Sequence, residues 1–148
     1  MMRFGIIAKD FSDPEALASA YLSKYFANQK IEYPINPFRM LKDEGVLFSL
    51  MDFKKLEGVY VPAENNEDIP VVVINVNRPI TRQRFTAAHE LCHHFRDADN
   101  QISCPMYGKK NAIEKYADSF AAALLMPMQE LSHQVNKKKN SRGNVSFD

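Results

Sequence analysis

The chain has 148 residues, of which 45% are hydrophobic and 25% charged, with a formal net charge of +1. That is the length and composition of one globular domain. The near-zero charge excludes a strong overall field steering nucleic acid or a membrane surface toward it.

In chain order, MMRFGIIAKD holds a basic residue and a short apolar patch, which Lys9 and Asp10 interrupt too early for a secretory signal. SDPEALASAYLSKYFA predicts a helix: Ser12 or Asp13 can cap, Pro14 suits the first position, and Leu17, Ala20, Tyr21, Leu22, Tyr25 and Phe26 recur at helical spacing. NPFRMLKDEG repeats the design, with Asn36 as cap, Pro37 first and Gly45 as terminator. VLFSLMDF, GVYVP and IPVVVINVN, rich in Val, Ile, Phe and Tyr, predict three strands, and PAENNEDIP between the last two is a polar turn. Residues 80–95 return to helical periodicity, and RDADNQISCPMYGKKN reads as a loop. A further helix runs from about Ile113 to Leu125, MQELSHQVNKKK can form a last one, and NSRGNVSFD is an end segment. The expectation is α+β: N-terminal helices, a small three-stranded sheet, then the helices that carry the chemistry. Residues 1–136 form one domain in this reading and 137–148 a basic, flexible tail. No apolar run approaches the roughly 20 residues that span a bilayer. Two cysteines, Cys92 and Cys104, make no disulfide framework. A cytoplasmic, reducing location is therefore expected.

RFTAAHELCHHF, residues 84–95, holds three of the chain's four histidines. His89 and His93 differ by a net of about 40° around a helix and project from one face. Thr86, His89, Glu90 and His93 form a polar stripe beside an apolar one of Ala88, Leu91, Cys92 and Phe95, so the polar stripe is expected at the edge of a core. Two imidazoles one turn apart can both reach a tetrahedral zinc ion at about 2.0–2.1 Å. Glu90, on the flank of the same face, is placed to take a proton from water activated by the metal.

Catalytic zinc keeps three protein ligands and an open position. In IEKYADSFAAALLMP, Glu114 and Asp118 again share one helix face. Glu114 can supply a carboxylate oxygen to the ion, and Asp118 can accept a hydrogen bond from the far nitrogen of a ligand histidine, fixing its tautomer. Ala117 and Ala121 are small enough to let the two helices approach closely. The spacing points to a gluzincin-like arrangement, in which the His-Glu-x-x-His helix packs against a second, ligand-bearing helix.

RFTAAHELCHHF followed by EKYADSFAAALLMP resembles the ImmA/IrrE family of zinc metallopeptidases, and GVYVP and VVVINVNRPITRQ fit that family's strands before the site helix. The resemblance covers roughly residues 58–128. It implies His89, His93 and Glu114 as ligands of one Zn2+, Glu90 as catalytic base, and Asp118 where the family has Asn or Asp. Cys92 departs from the pattern, since glycine is frequent there, and is read as a buried structural cysteine. The resemblance further implies a protein substrate: a helix-turn-helix transcriptional repressor encoded nearby, in phage, mobile-element or stress regulation. The alternative is a zinc-stabilised regulatory module that sequesters a repressor or toxin without proteolysis. Direct nucleic-acid binding through Lys137–Lys139 and Arg142 is the weakest reading, and no membrane partner is expected.

The remaining polar residues have weaker claims. His94 lies off the face of His89 and His93 and is expected to be partly exposed or to donate from behind the ligands. Tyr60, Tyr107, Tyr116 and His133 are all candidates to stabilise an oxyanion, although His133 is more readily a surface histidine. Arg82 and Arg84, at the positive end of the site helix, are expected in solvent. GVYVP, ending in Pro62, is the expected sheet edge for an added peptide strand, and VVVINV the buried centre.

Overall fold

The computed structural model describes residues 4–98, 102–105 and 110–126. The elements are α1 (Phe4–Ala8), α2 (Pro14–Tyr25), α3 (Pro37–Asp43), β1 (Leu47–Met51), β2 (Leu56–Val61), β3 (Val71–Asn75), α4 (Ile80–Arg96), β4 (Ile102–Pro105) and α5 (Ala112–Leu125). The architecture is α+β, as expected. The proposed last helix, the tail, Tyr107 and His133 lie outside the described residues.

The caps sit where local chemistry puts them. Asp13 accepts a hydrogen bond from the Glu15 amide at 3.0 Å, with Pro14 opening α2. Asn36 accepts from the Arg39 amide at 3.3 Å, and Gly45 follows α3 at φ +77°, a conformation a side chain disfavours. The α1 helix has no such signals. It is held from outside, by Phe4 against Tyr21 and Phe95 with ring centroids 5.1 and 4.8 Å away.

The three expected strands form, and a fourth joins them in the order β1-β3-β2-β4. β1 runs parallel to β3, while β2 is antiparallel to both β3 and β4. β4 comes from the segment read as a loop. Four residues ending in proline carry little strand propensity of their own; pairing with β2 makes them a strand. This also corrects the edge assignment. β2, which contains GVYVP, is paired on both sides, and β4 and β1 are the edges. The buried Asn75 side chain holds the β1–β2 connection by donating to the Phe53 and Leu56 carbonyls at 3.1 and 2.9 Å.

α4 is the central element, packed against α1, α3, α5, β2 and β3. Its polar stripe was expected at the edge of the core, but Thr86, His89, Glu90 and His93 are all buried. The reason is α5, which packs against α4 and buries Ala117, Phe120, Ala121 and Leu124. No helix among the described residues is long and apolar enough to cross a membrane.

Candidate metal centre

The two helices that carry the site are fixed at their N-termini by side chains. α4 begins after Pro79 without a side-chain cap. Instead Gln83, one turn in, donates to the carbonyls of Arg78 at 2.8 Å and Val76 at 3.3 Å, tying the β3–α4 connection to the helix. α5 is capped by Asn111, whose side chain accepts from the Glu114 amide at 2.9 Å. Glu114 is thereby set in the first turn of α5, where the helix dipole favours a carboxylate.

The packing of α5 on α4 brings Glu114 to the two histidines. Ligand-type atoms of His89, His93 and Glu114 all lie within 4.8 Å of one another, and all three residues are buried. His89 Nε2 is 3.0 Å from His93 Nε2 and 3.1 Å from Glu114 Oε2, and His93 Nε2 is 2.9 Å from Glu114 Oε1. Donor atoms on a tetrahedral zinc with bonds of about 2.0–2.1 Å are about 3.3–3.4 Å apart. A few tenths of an ångström of relaxation separate this cluster from that geometry, so the donor set can hold a metal ion.

Each imidazole is backed by a carboxylate on its other nitrogen. His89 Nδ1 is 2.8 Å from Asp118 Oδ1, and His93 Nδ1 is 2.9 Å from Asp97 Oδ2. Asp118 is itself held by Lys110, with Nζ to Oδ2 at 2.5 Å. These contacts leave Nε2 of both rings facing the shared point, the arrangement that orients a metal-ligating histidine. The electrostatics agree. Burial opposes a charged His93, but Asp97 and Glu114 outweigh it and push its pKa up to about 9. His89 is raised likewise, by Asp118 and Glu114 against burial. Burial would raise the Glu114 and Asp118 carboxyls, yet the imidazoles hold both below the ordinary carboxylate range, with Lys110 helping at Asp118. The cluster draws positive charge into a buried place, which suits a divalent cation.

Glu90 is fully buried on the β2 side of α4. Its Oε1 would lie 3.1 Å from a Cβ placed on Gly58, so the absence of a side chain at Gly58 is what lets the strand and this carboxylate approach. Cys92 is buried and its thiol pKa is raised by that burial, in keeping with a structural role. His94 is half-buried, with Nδ1 3.0 Å from the Tyr60 hydroxyl. Tyr116 donates to the Phe11 carbonyl at 2.7 Å. These hydroxyls are therefore engaged with His94 and Phe11 in the present arrangement. Arg82 is exposed, as expected, and also has Nε 3.6 Å from Glu57 Oε2 and lies over the Phe85 ring.

Asp97, Lys110, Glu57 and Gly58 were missed in the sequence. Asp97 follows His93 by four residues, the same spacing as the histidine pair, and could have been found on that ground. Glu57 and Gly58 depend on how β2 lies against α4, which no local pattern shows.

A buried His-His-Glu cluster on two packed helices beside a small mixed sheet defines a metallopeptidase-like domain. The family model described as the IrrE N-terminal-like domain, peptidase M78, matches residues 41–145, and the chain belongs to that family. A relative is the radiation response metalloprotease IrrE of Deinococcus deserti, 29% identical over 92 residues. The match covers 58% of this chain and 31% of that protein, so the shared part is less than a third of the relative's length.

Proposed function

We propose that the chain is a zinc-dependent endopeptidase acting on a protein substrate, with His89, His93 and Glu114 as metal ligands and Glu90 as general base. The observation that carries this reading is the convergence of three buried donor groups, each imidazole oriented by its own carboxylate. A zinc ion held there would supply Lewis-acid polarisation of a peptide carbonyl and of a water molecule. Glu90 takes the proton of the attacking water and delivers it to the departing amine nitrogen. Asp118 and Asp97 keep His89 and His93 in the tautomer that presents Nε2. Lys110 holds Asp118 in place.

The substrate we propose is a helix-turn-helix repressor, and the location the cytoplasm, where such a repressor acts. Support comes from the family and from a relative whose name joins a metalloprotease to a stress response. The test is to incubate the purified, zinc-loaded chain with the repressor encoded beside it and read products by mass spectrometry. Cleavage by the parent is expected, with a loss of at least about a hundredfold in Glu90→Gln at unchanged zinc content. Equal cleavage by both proteins refutes the assignment of Glu90. No cleavage by either, with repressor binding retained, leaves a non-proteolytic sequestering module.

A further inference from the structure

The cleft beside the metal cluster has a second polar feature that the proposed chemistry does not use. His89 and Glu114 line it together with Thr86, Phe85, Arg82 and Glu57. Arg82, Phe85 or Thr86, and His89 follow one another at single-turn intervals along one face of α4. Seven residues separate Arg82 from His89, about 10 Å along the helix axis. An extended peptide advances about 3.3–3.6 Å per residue. A peptide whose scissile carbonyl meets the metal cluster therefore brings a side chain two or three residues away to Arg82.

Arg82 is built into the cleft. Between Leu56 and Gly58 the pairing of β2 with β4 slips, because Leu56 faces Pro105 and Gly58 faces Cys104, leaving Glu57 as the extra residue of a bulge. Bulges redirect side chains beside functional sites. Here the Glu57 carboxylate is divided between Arg78 Nε at 3.7 Å and Arg82 Nε at 3.6 Å. The Phe85 ring, 5.2 Å from Arg82 Cζ, supports the same guanidinium by cation–π contact. Arg82 meets Glu57 through Nε and Phe85 through the face of its guanidinium, contacts that do not use its two terminal nitrogens. Exposure decides which member of the ion pair meets the substrate: the Glu57 side chain is 13% exposed and that of Arg82 46%.

We infer that Arg82, positioned by Glu57 and Phe85, forms a specificity subsite for a substrate carboxylate, an aspartate or glutamate side chain two or three residues from the scissile bond. The inference rests on reading the His89–His93–Glu114 cluster as a peptidase centre. Arg82 determines preference and is not a catalytic residue.

The experiment uses the full-length, zinc-loaded chain and three synthetic peptide hydroxamates. They are identical except for glutamate, glutamine or lysine at the second residue from the hydroxamate, with a second set varied at the third. Affinities are read by calorimetry. In one set the parent is expected to bind the glutamate probe about tenfold tighter than the glutamine probe, the scale of a charge-assisted hydrogen bond. Lysine should be weakest. Arg82→Gln should erase the difference, Arg82→Lys keep part of it, and Arg82→Glu turn the preference to lysine, each at the parent's zinc content. Glu57→Gln, by removing the competing anion, should widen the preference for glutamate, a gain that a merely structural role for the pair does not produce. Equal affinity of the parent for all three probes in both sets overturns the inference, as does tightest binding of lysine, which would make Glu57 the recognising group. These parent comparisons need no variant to fold. A parent that takes up no zinc removes the peptidase reading and the subsite together; zinc uptake with indifferent probes removes the subsite alone.

Discussion

Gly58 is a place where the sheet comes close to the site helix. A Cβ there would lie 2.9 Å from Thr86 Cγ2, 3.0 Å from the Val73 carbonyl oxygen and 3.1 Å from Glu90 Oε1. The Val73 contact is to the backbone of the neighbouring strand β3 and cannot swing away, while the contacts to α4 are to the buried Thr86 and Glu90 side chains, so Gly58→Ala must strain the β2–β3 pairing and displace the Thr86 methyl and the Glu90 carboxylate. We expect a loss of about 1–3 kcal/mol, the usual cost of overpacking, together with a reduction of the proposed peptidase activity. Urea unfolding checks the first part, and an unchanged midpoint would contradict the packing argument. The two carboxylates behind the proposed ligands make a separate prediction. Removing the partner of a metal-bound histidine typically weakens metal binding by about 10–100-fold. Asp97→Asn and Asp118→Asn should each do so in competition against a chromophoric chelator, and parent-like affinity in both variants would show that these contacts do not orient the rings.

At the level of elements, α2 and α3 are clasped by two tyrosines. Tyr21 donates to Glu44 Oε1 at 3.1 Å and Tyr25 to Asp43 Oδ2 at 2.6 Å. Burial first, and then the carboxylate partner, raise both phenol pKa values, that of Tyr25 to about 12. An unfolded tyrosine titrates near 10. The folded state therefore resists losing these protons, and the stability that follows is fully present below about pH 10 and drains away as pH rises through the folded values. Alkaline unfolding should show this as a fall in stability above about pH 10 that is shallower in a Tyr21→Phe/Tyr25→Phe double variant; curves of equal slope would exclude the clasp as its source. These helices were legible in the sequence because their ends are local chemistry: Asp13–Pro14, Asn36–Pro37 and Gly45 act within a turn. α1 and β4 were not, because neither has a cap or an alternation of its own. One exists through aromatic packing and the other through pairing with β2. The same division runs through the site. The spacings 89–93 and 114–118 put side chains on common faces, whereas the Glu57 bulge and the close approach at Gly58 arise only when distant segments meet.

Across the whole molecule, α4 and α5 are joined by polar groups at two neighbouring places, where the C-terminal half of α4 meets the first turns of α5. At one of them, Arg96 donates to the Ala8 and Phe11 carbonyls at 3.1 and 2.5 Å, its guanidinium 3.8 Å from the Tyr116 ring, and Tyr116 donates to the same Phe11 carbonyl. At the other the joint is the His89–His93–Glu114 cluster, where α5 contributes one carboxylate to two imidazoles of α4. A metal ion there would tie the helices across a polar contact that is otherwise held only by hydrogen bonds among buried, titratable groups. Since the complete proposed ligand set exists only when α5 is docked, an ion would bind the folded state in preference to the unfolded one, and stability should rise with free zinc as RT ln(1 + [Zn]/Kd). At a hundredfold excess over Kd that is about 2.7 kcal/mol, a rise in Tm of roughly 10 °C for a chain of this size. Thermal unfolding should therefore shift upward with buffered zinc and return on chelation. His93→Ala and Glu114→Ala should lose most of that dependence, while Glu90→Gln should keep it, because Glu90 stands outside the donor set. A Tm indifferent to zinc in the parent, or a dependence that survives both ligand substitutions, would place the metal somewhere other than between these two helices.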